Sequence, residues 1–130
     1  MSGANPQNET IASLAKAVLL EVFDEQDPTR RALAIARVFT PNARFIDHNG
    51  AHHGHAEINA AVEQLHNLLP GFHFAHAREP QLLTGAARLS WQFGPPSDPG
   101  RIRGSDTILV QDGRVSLLLV FLDQPPGPSQ

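Results

Sequence analysis

The hydrophobic pattern of this chain changes its period once, at Pro70-Gly71, and that change limits the fold to the α+β class. Before this point apolar residues recur every three or four positions, over residues 11–22 and again over 58–69, as on the buried face of an amphipathic helix. After it, apolar and polar residues alternate, as in half-buried strands. Helices therefore come first and an antiparallel sheet second, with the helices on one face of the sheet.

Cap and turn residues mark where these elements begin and end. Asp27 followed by Pro28 predicts the start of a second helix, which stops at Thr40-Pro41. The pairs Asn49-Gly50 and Asp112-Gly113 predict tight turns. The expected helices span residues 9–23, 28–39 and 55–69, and the expected strands span 43–48, 72–76, 87–93, 101–111 and 115–123.

Length and the composition of the two ends indicate one domain. A chain of 130 residues fits a single hydrophobic core. The polar residues 1–7 are expected to form a flexible N-terminus, and residues 8–123 the domain itself. Residues 124–130 contain three prolines and one glycine, so we expect a disordered Pro-rich tail there.

Composition excludes several classes of function. The chain has 10 basic and 13 acidic residues and a net charge of −3, which argues against a nucleic-acid partner. The absence of cysteine removes disulfides, Cys-ligated zinc and thiolate catalysis. The longest apolar run, residues 117–122, is too short for a membrane span, and no signal peptide is visible. We expect a small soluble cytoplasmic protein. No Gly-rich phosphate loop or nucleophile motif is present, and no cofactor is expected.

The last predicted strand is apolar without interruption over residues 117–122. A strand that is apolar on both faces has to be covered on both faces. The helices can cover one face, and no other segment remains to cover the second. The sequence therefore predicts a homodimer that packs sheet to sheet, with Leu117, Leu119 and Phe121 in the interface.

Asp106 is the most informative single residue. Its neighbours at two-residue spacing are Gly104 and Ile108, so its carboxyl points to an apolar face. A buried carboxyl stays protonated or finds a donor, and such an acid is a candidate for a functional site. The alternative is a structural role, in which Asp106 caps a backbone group or pairs with an arginine.

Asp47 lies two residues after Phe45, at the end of the first predicted strand, and therefore on the same face of it. It could simply hold the turn at Asn49-Gly50 as an Asx-turn residue. Paired with Asp106 in one pocket, however, it could take the opposite protonation state, so that one carboxyl is a base and the other a hydrogen-bond donor. Apolar residues on the same inner face are predicted to bind the substrate: Phe45, Leu89, Trp91, Phe93, Ile108, Leu118 and Val120.

Seven histidines are many for this length, and His48, His52, His53 and His55 lie within eight positions. Their spacing could bind a metal ion, but they are expected on a Gly-containing loop without fixed geometry. A solvated loop is therefore predicted, and no metal. His76 shares the parity of Phe72 and Phe74 and is a candidate proton-transfer partner, although a neutral core histidine would also fit.

The stretches ARFIDHNG, GHAEI and RGSDTILVQDGRVSLLLVFLD resemble the nuclear transport factor 2-like superfamily, in its SnoaL-like branch, and the resemblance covers residues 8–123. It implies a cone-shaped, curved, mostly antiparallel sheet with three helices on its concave side, a cystatin-like α+β barrel roll that encloses an apolar pocket and dimerises through the sheet. Relatives include ketosteroid isomerase and polyketide cyclases. Asp47 falls where the proton-abstracting Asp of the isomerase lies, and Asp106 where its protonated Asp lies. The isomerase also uses a tyrosine, and this chain has none.

Three functions follow as expectations. The first is a cofactor-independent isomerase, cyclase or dehydratase that acts on a small apolar, enolisable molecule with Asp47, Asp106 and His76. The second is a non-catalytic module of the same fold that binds a small apolar ligand. The third is a dimerisation scaffold with a filled core.

Overall fold

Three α-helices and seven strands follow one another along residues 6–124, the part of the chain that this computed structural model describes. Residues 1–5 of the predicted N-terminal segment and 125–130 of the predicted tail lie outside the described residues. The helices are α1 (Pro6–Ala17), α2 (Pro28–Val38) and α3 (Gly54–Leu68). The strands are β1 (Phe39–Asp47), β2 (Gly50–His53), β3 (His73–His76), β4 (Gln81–Leu83), β5 (Ala86–Gly94), β6 (Ile102–Gln111) and β7 (Arg114–Leu122).

All seven strands belong to one mixed sheet. Its order is β2-β1-β7-β6-β5-β3, and β4 pairs with β5 beside this path. Strands β1 and β7 are parallel, and every other pair is antiparallel. The sheet is curved and does not close into a barrel, which confirms the predicted α+β fold.

Two irregularities in strand register help to bend the sheet. The β1–β7 register shifts between Phe39 and Arg44, a segment that includes Pro41. A second shift lies between Leu109 and Val110 on β6. Bulges of this kind bend a strand and increase its twist. Strand β1 begins four residues earlier than predicted, because the irregular segment accommodates a proline that has no N–H for the ladder.

The cap residues place the start of α2 correctly, whereas α1 begins three residues earlier than the predicted residue 9. The side chain of Asp27 accepts a hydrogen bond from the backbone N–H of Thr29, and Pro28 occupies the first turn of α2. Helix α1 begins at Pro6, so two residues of the predicted N-terminal segment are helical. It continues directly into a π-helical segment, Val18–Phe23.

A fully buried arginine connects the helices. Arg31 on α2 donates from Nε and Nη2 to the backbone oxygen of Glu25, at 2.9 and 2.6 Å. Its Nη1 donates to Asn59 Oδ1 and Glu63 Oε1 on α3, at 2.9 and 3.1 Å. Its Nη2 also lies 3.1 Å from Nδ1 of His66. An arginine has five N–H groups, and this arrangement provides an acceptor for each of them.

The same network holds the π-helical segment in place. Because Arg31 donates to Nδ1 of His66, the proton of the neutral imidazole lies on Nε2, which donates to the backbone oxygen of Phe23 at 2.6 Å. At the same end, the backbone N–H of Asp24 donates to the oxygen of Leu19 at 2.9 Å, five residues earlier. π-Helical turns are frequent at functional sites, and this one carries two side chains of the cavity described below.

The apolar core lies between the helices and the concave face of the sheet. Leu89, Ile108 and Leu118 are completely buried there, together with Val18 and Ile35 of the helices. Within residues 6–124, no helix is long and apolar enough to span a bilayer.

Candidate active site

A cavity of about 1080 Å³ opens between the concave face of the sheet, the π-helical segment and α3. This volume is slightly above the usual range of about 300–1,000 Å³ for small-molecule sites. Most of its wall is apolar, with polar groups at a few points. The apolar wall is formed by Leu19, Phe23, Phe45, Ala61, Leu65, Leu68, Leu69, Phe74, Trp91, Phe93, Ile102, Val120 and Leu122.

Aromatic rings form one continuous part of this wall. Phe74 stacks on Phe93 with ring centroids 4.0 Å apart and meets Trp91 edge to face at 5.3 Å. Phe23 meets both Phe74 and Phe45 edge to face, at 6.0 and 5.2 Å. Stacked and edge-to-face contacts of this geometry are favourable for aromatic rings, and together the rings form a continuous apolar surface.

Asp106 lies in this wall and is only 4% exposed. Its Oδ1 accepts a hydrogen bond of 2.9 Å from Nε1 of Trp91. Burial raises the pKa of Asp106 from 3.8 to about 7, and the Trp91 hydrogen bond opposes that rise only in part. At neutral pH a large fraction of Asp106 is therefore the neutral acid, which can donate a hydrogen bond.

Gly104 gives Trp91 the space to reach this carboxyl. The two residues are paired across β5 and β6. A Cβ at position 104 would lie 2.5 Å from Cζ2 of Trp91 and would displace the ring. The absence of a side chain at this position therefore sets the indole against β6, with its N–H directed at Asp106.

Asp47 ends β1 and has two roles in the structure. Its Oδ1 accepts a hydrogen bond of 2.9 Å from the backbone N–H of Asn49, as an Asx-turn residue does. The same side chain lines the cavity. The carboxyl of Asp47 is therefore part of both the turn and the cavity wall, and its hydrogen bond to Asn49 fixes its orientation.

Strand register places the two carboxyls on one face of the sheet. Asp106 is paired with Val120 across β6 and β7. On the other side of β7, Ile46 is paired with Leu119, so the register continued by one residue places Asp47 beside Val120. Adjacent strands lie about 4.8 Å apart, and the two carboxyl-bearing backbones are therefore about 10 Å apart, with Val120 between them. A small ring can fit between side chains at that separation.

His52 is a cavity residue that the sequence interpretation did not select. Residues 50–53 were expected in an irregular loop, but they form β2, and the hairpin pairs His52 with Phe45. The imidazole stacks on the Phe45 ring with centroids 4.8 Å apart. Its Nε2 is buried without a hydrogen bond, 3.6 Å from Oδ1 of Asp47. The tight turn pair before residue 51 was the signal that could have predicted a returning strand.

Of the other histidines near His52, only His48 also lines the cavity. His53 is exposed, and Nε2 of His55 contacts the backbone oxygens of Phe39 and Thr40 at 3.1 and 2.9 Å. Over residues 6–124, no three His, Asp or Glu side chains are grouped so that they could hold a metal ion.

The remaining predicted site residues divide between the wall and the core. Phe45, Trp91, Phe93 and Val120 line the cavity together with Asp47 and Asp106. Leu89, Ile108 and Leu118 share the inner face but are fully buried in the core and are not among the lining residues.

His76 is not among the lining residues either. It lies on β3 opposite Trp91, close enough to Glu79 for its charge to contribute to a lowered pKa of that carboxyl. The larger causes of that lowering are the hydrogen bond and charge of Lys16 on α1. Sequence parity placed His76 on the inner face, but parity does not show how far along a strand the cavity extends.

Charged side chains surround the opening of the cavity. Arg101, Arg103 and Asp123 line it at this edge. Arg101 donates to Asp98 Oδ2 at 3.2 Å and lies over the ring of Phe72, 5.6 Å from its centroid. A ligand therefore meets a polar rim first and an apolar interior with two carboxyls beyond it.

The arrangement is that of an α+β protein with a mostly apolar pocket and two carboxyls in its wall. Its sequence matches the family model of the SnoaL-like domain over residues 18–118, and the chain belongs to that family, within the nuclear transport factor 2-like superfamily. No curated protein matches the chain.

Solved structures show the same fold. A candidate isomerase of the SnoaL-like family from Agrobacterium tumefaciens is 25% identical, with a TM-score of 0.82, over 89% of this chain and 99% of that one. A candidate ketosteroid isomerase from Kribbella flavida is 17% identical, with a TM-score of 0.69, over 95% and 85%. A candidate SnoaL-like polyketide cyclase from Jannaschia sp. is 19% identical, with a TM-score of 0.69, over 95% and 92%.

Proposed function

We propose that the protein catalyses a cofactor-independent isomerisation, cyclisation or dehydration of a small apolar, enolisable molecule. Asp47 is the general base and Asp106 is the hydrogen-bond donor to the developing enolate. The observation that carries this proposal is the buried Asp106 carboxyl in the cavity wall, with a pKa of about 7, on the same face of the sheet as Asp47.

The proposed reaction begins with proton transfer to Asp47. The carboxylate takes a proton from the carbon next to a carbonyl group, the C–H electron pair forms the enolate double bond, and the negative charge moves to the carbonyl oxygen. A positioned base of this kind contributes about 10²- to 10⁴-fold in rate. In an isomerase, the enolate takes the proton back from Asp47 at another carbon. In a dehydratase, it expels a hydroxyl group that leaves as water with that proton, and in a cyclase it attacks a second carbonyl, whose oxygen receives the proton. Each outcome returns Asp47 to the carboxylate form.

Neutral Asp106 stabilises the enolate in this scheme. Its O–H donates to the oxygen on which the charge develops, from a buried position in the cavity wall. The N–H of Trp91 already donates to Asp106, so the tryptophan does not supply a second donor to the substrate. The chain has no tyrosine, and Leu19 forms part of the wall on the helical side. The oxyanion hole therefore contains one hydrogen-bond donor, the O–H of Asp106. This favours substrates whose enolates are already stabilised by conjugation.

The test is Asp47→Asn, assayed on a panel of enolisable ketones and β-dicarbonyl compounds. The expected loss in kcat is about 10²- to 10⁴-fold, because the amide cannot accept the proton. The rate should also fall above a pH of about 7, where Asp106 loses its proton. Asp112→Asn is the matched control, because Asp112 is exposed in a turn with φ 53°, which asparagine also adopts. If Asp47→Asn keeps the wild-type kcat, the proposed base is wrong.

A non-catalytic ligand-binding role is the second candidate, and the missing tyrosine favours it. In that role Asp106 fixes a polar atom of the ligand and Asp47 only holds the turn. Asp47→Ala would then bind the ligand with nearly wild-type affinity, and no ketone of the panel would be converted.

We also propose that the protein is a homodimer through the outer face of the sheet. Phe121 is 60% exposed on this face, and Leu109 is also exposed. Leu109 is paired with the half-buried Leu117, and Ile46 with the half-buried Leu119, so the four aliphatic residues and Phe121 form one apolar patch. Sedimentation equilibrium should show a dimer at micromolar concentration and a monomer for Phe121→Asp. A monomeric wild-type protein would contradict this assignment.

A further inference from the structure

We infer that His52 is a positioning residue for Asp47, and that it leaves Oδ2 of Asp47 as the oxygen that meets the substrate. The inference rests on the proposed function, in which Asp47 is the base. It adds a third residue to the site and assigns different roles to the two oxygens of one carboxyl.

The position of the imidazole is fixed from two sides. The β1–β2 hairpin pairs His52 with Phe45, and the two rings stack with an interplanar angle of 26°. Asp47 follows two residues after Phe45 on β1 and closes the same hairpin. Both members of the pair are therefore held by one short turn, and their relative position changes little unless the hairpin itself moves.

Nε2 of His52 faces Asp47 with nothing else to bind among residues 6–124. It is buried, makes no hydrogen bond, and lies 3.6 Å from Oδ1 of Asp47. A buried polar atom without a partner is costly. A lone pair on Nε2 would be repelled by the carboxylate, whereas an N–H is attracted to it, so the geometry assigns the proton of the neutral imidazole to Nε2.

The separation of 3.6 Å is slightly too long for a hydrogen bond. A movement of less than about 1 Å closes it. A ligand that fills the cavity removes water from around the pair and strengthens the attraction between the N–H and the carboxylate. The hydrogen bond is thus completed when the substrate is present, which is when the base needs a fixed orientation.

The two oxygens of Asp47 then differ in what they contact. Oδ1 accepts from the backbone N–H of Asn49 at 2.9 Å and faces His52. Among residues 6–124, the hydrogen bond from Asn49 and the close approach of His52 both involve Oδ1 rather than Oδ2. Oδ2 is therefore the oxygen left to accept the proton from the substrate. The other ionisable groups of the cavity wall are His48 in the turn, Asp106 on β6, and the side chains at the opening, while α3 contributes only apolar residues and Gln64.

Kinetics of three variants test this inference. His52→Leu should lower kcat about 10- to 100-fold with little change in KM, because a misplaced base reacts more slowly without weaker substrate binding. His52→Gln should restore most of kcat, because its amide N–H can occupy the position of Nε2–H. His53→Leu, on the exposed side of the same strand, is the matched control and should behave as wild type. A wild-type kcat in His52→Leu, or no recovery in His52→Gln, would overturn the inference.

A second readout needs no substrate. The ¹⁵N chemical shifts of the His52 ring, measured at a pH where the ring is neutral, identify the nitrogen that carries the proton. The expected result is the Nε2–H tautomer in the wild type, and the Nδ1–H tautomer would overturn the inference. Loss of activity in Asp47→Asn together with full activity in His52→Leu would reject the role of His52 alone. Full activity in Asp47→Asn would reject the proposed function.

Discussion

Among the described residues, Arg31 and Asp106 are the two ionisable side chains that are buried, and they differ in how many of their polar atoms have hydrogen-bond partners. Arg31 lies between α2, α3 and the end of the π-helical segment, where each of its N–H groups has an acceptor. Asp106 lies in the cavity wall and receives one hydrogen bond, from Trp91. A satisfied buried charge serves stability, whereas a partly satisfied one retains hydrogen-bonding capacity for a ligand.

The comparison also shows how the two regions depend on each other. The Arg31 network reaches the backbone of Phe23 through His66, and Phe23 is part of the cavity wall. The stable region therefore holds one side of the cavity in place. The carboxyl of Asp106 costs stability when it ionises, and the fold tolerates that cost because other regions are well packed.

The largest effect on folding is expected for Arg31→Met. The substitution removes the donor of five hydrogen bonds. It leaves four acceptors without that donor: the backbone oxygen of Glu25, Oδ1 of Asn59, Oε1 of Glu63 and Nδ1 of His66. The free energy of unfolding should fall by about 3–5 kcal/mol, because several buried acceptors lose their donor at a cost of about 1–3 kcal/mol each. Chemical denaturation measures it, with Arg30→Met as the control, because Arg30 is an exposed neighbour on the same helix. A loss below about 1 kcal/mol would contradict the structural role of Arg31.

Asp106→Asn should increase the free energy of unfolding at high pH, in contrast to Arg31→Met. The carboxyl binds its proton more tightly in the folded protein, where its pKa is about 7, than in the unfolded chain, where it is 3.8. Wild-type stability therefore falls as the pH rises from about 4 to about 7, by up to about 4 kcal/mol. The asparagine variant keeps an oxygen for Trp91 and lacks this titration, so it should be more stable than wild type at pH 8 by up to that amount.

The check is denaturation of both proteins over a series of pH values. The difference in unfolding free energy should shrink towards pH 4, where Asp106 is protonated in the folded state. A difference that does not change with pH would show that Asp106 does not titrate in this range. Because the amide N–H of the asparagine variant can still donate to the enolate oxygen, the variant should keep its activity above a pH of about 7, where the wild-type rate falls. Arg30→Met should keep the wild-type pH dependence.

Much of the fold could be predicted because its signals are local. The spacing of apolar residues gave the three helices, and Asp27-Pro28 placed the start of α2 correctly. The parity of Asp106 predicted an inward-facing acid, and the structure places it in the wall of the cavity. These features depend on residues that are close in sequence, where periodicity and cap chemistry operate.

The remaining features depend on contacts between distant residues. The buried position of Arg31 is not visible in a helical pattern, because its acceptors come from residues 25, 59, 63 and 66. The role proposed for His52 depends on a hairpin that pairs it with Phe45, and a run of histidines, glycine and alanine has little strand propensity. Which part of the inner face of the sheet lines the cavity and which part is core depends on where the helices cover the sheet. The alternation of residues along a strand shows only the face on which a residue lies.

The most direct test of the account is the titration of the Asp106 carboxyl itself. The ¹³C chemical shift of the side-chain carboxyl, measured against pH and assigned with Asp106→Asn, reports its protonation in the folded protein. The account predicts a midpoint of about 7. A midpoint near the ordinary value of 3.8 would contradict the claim that this cavity holds a neutral acid at neutral pH.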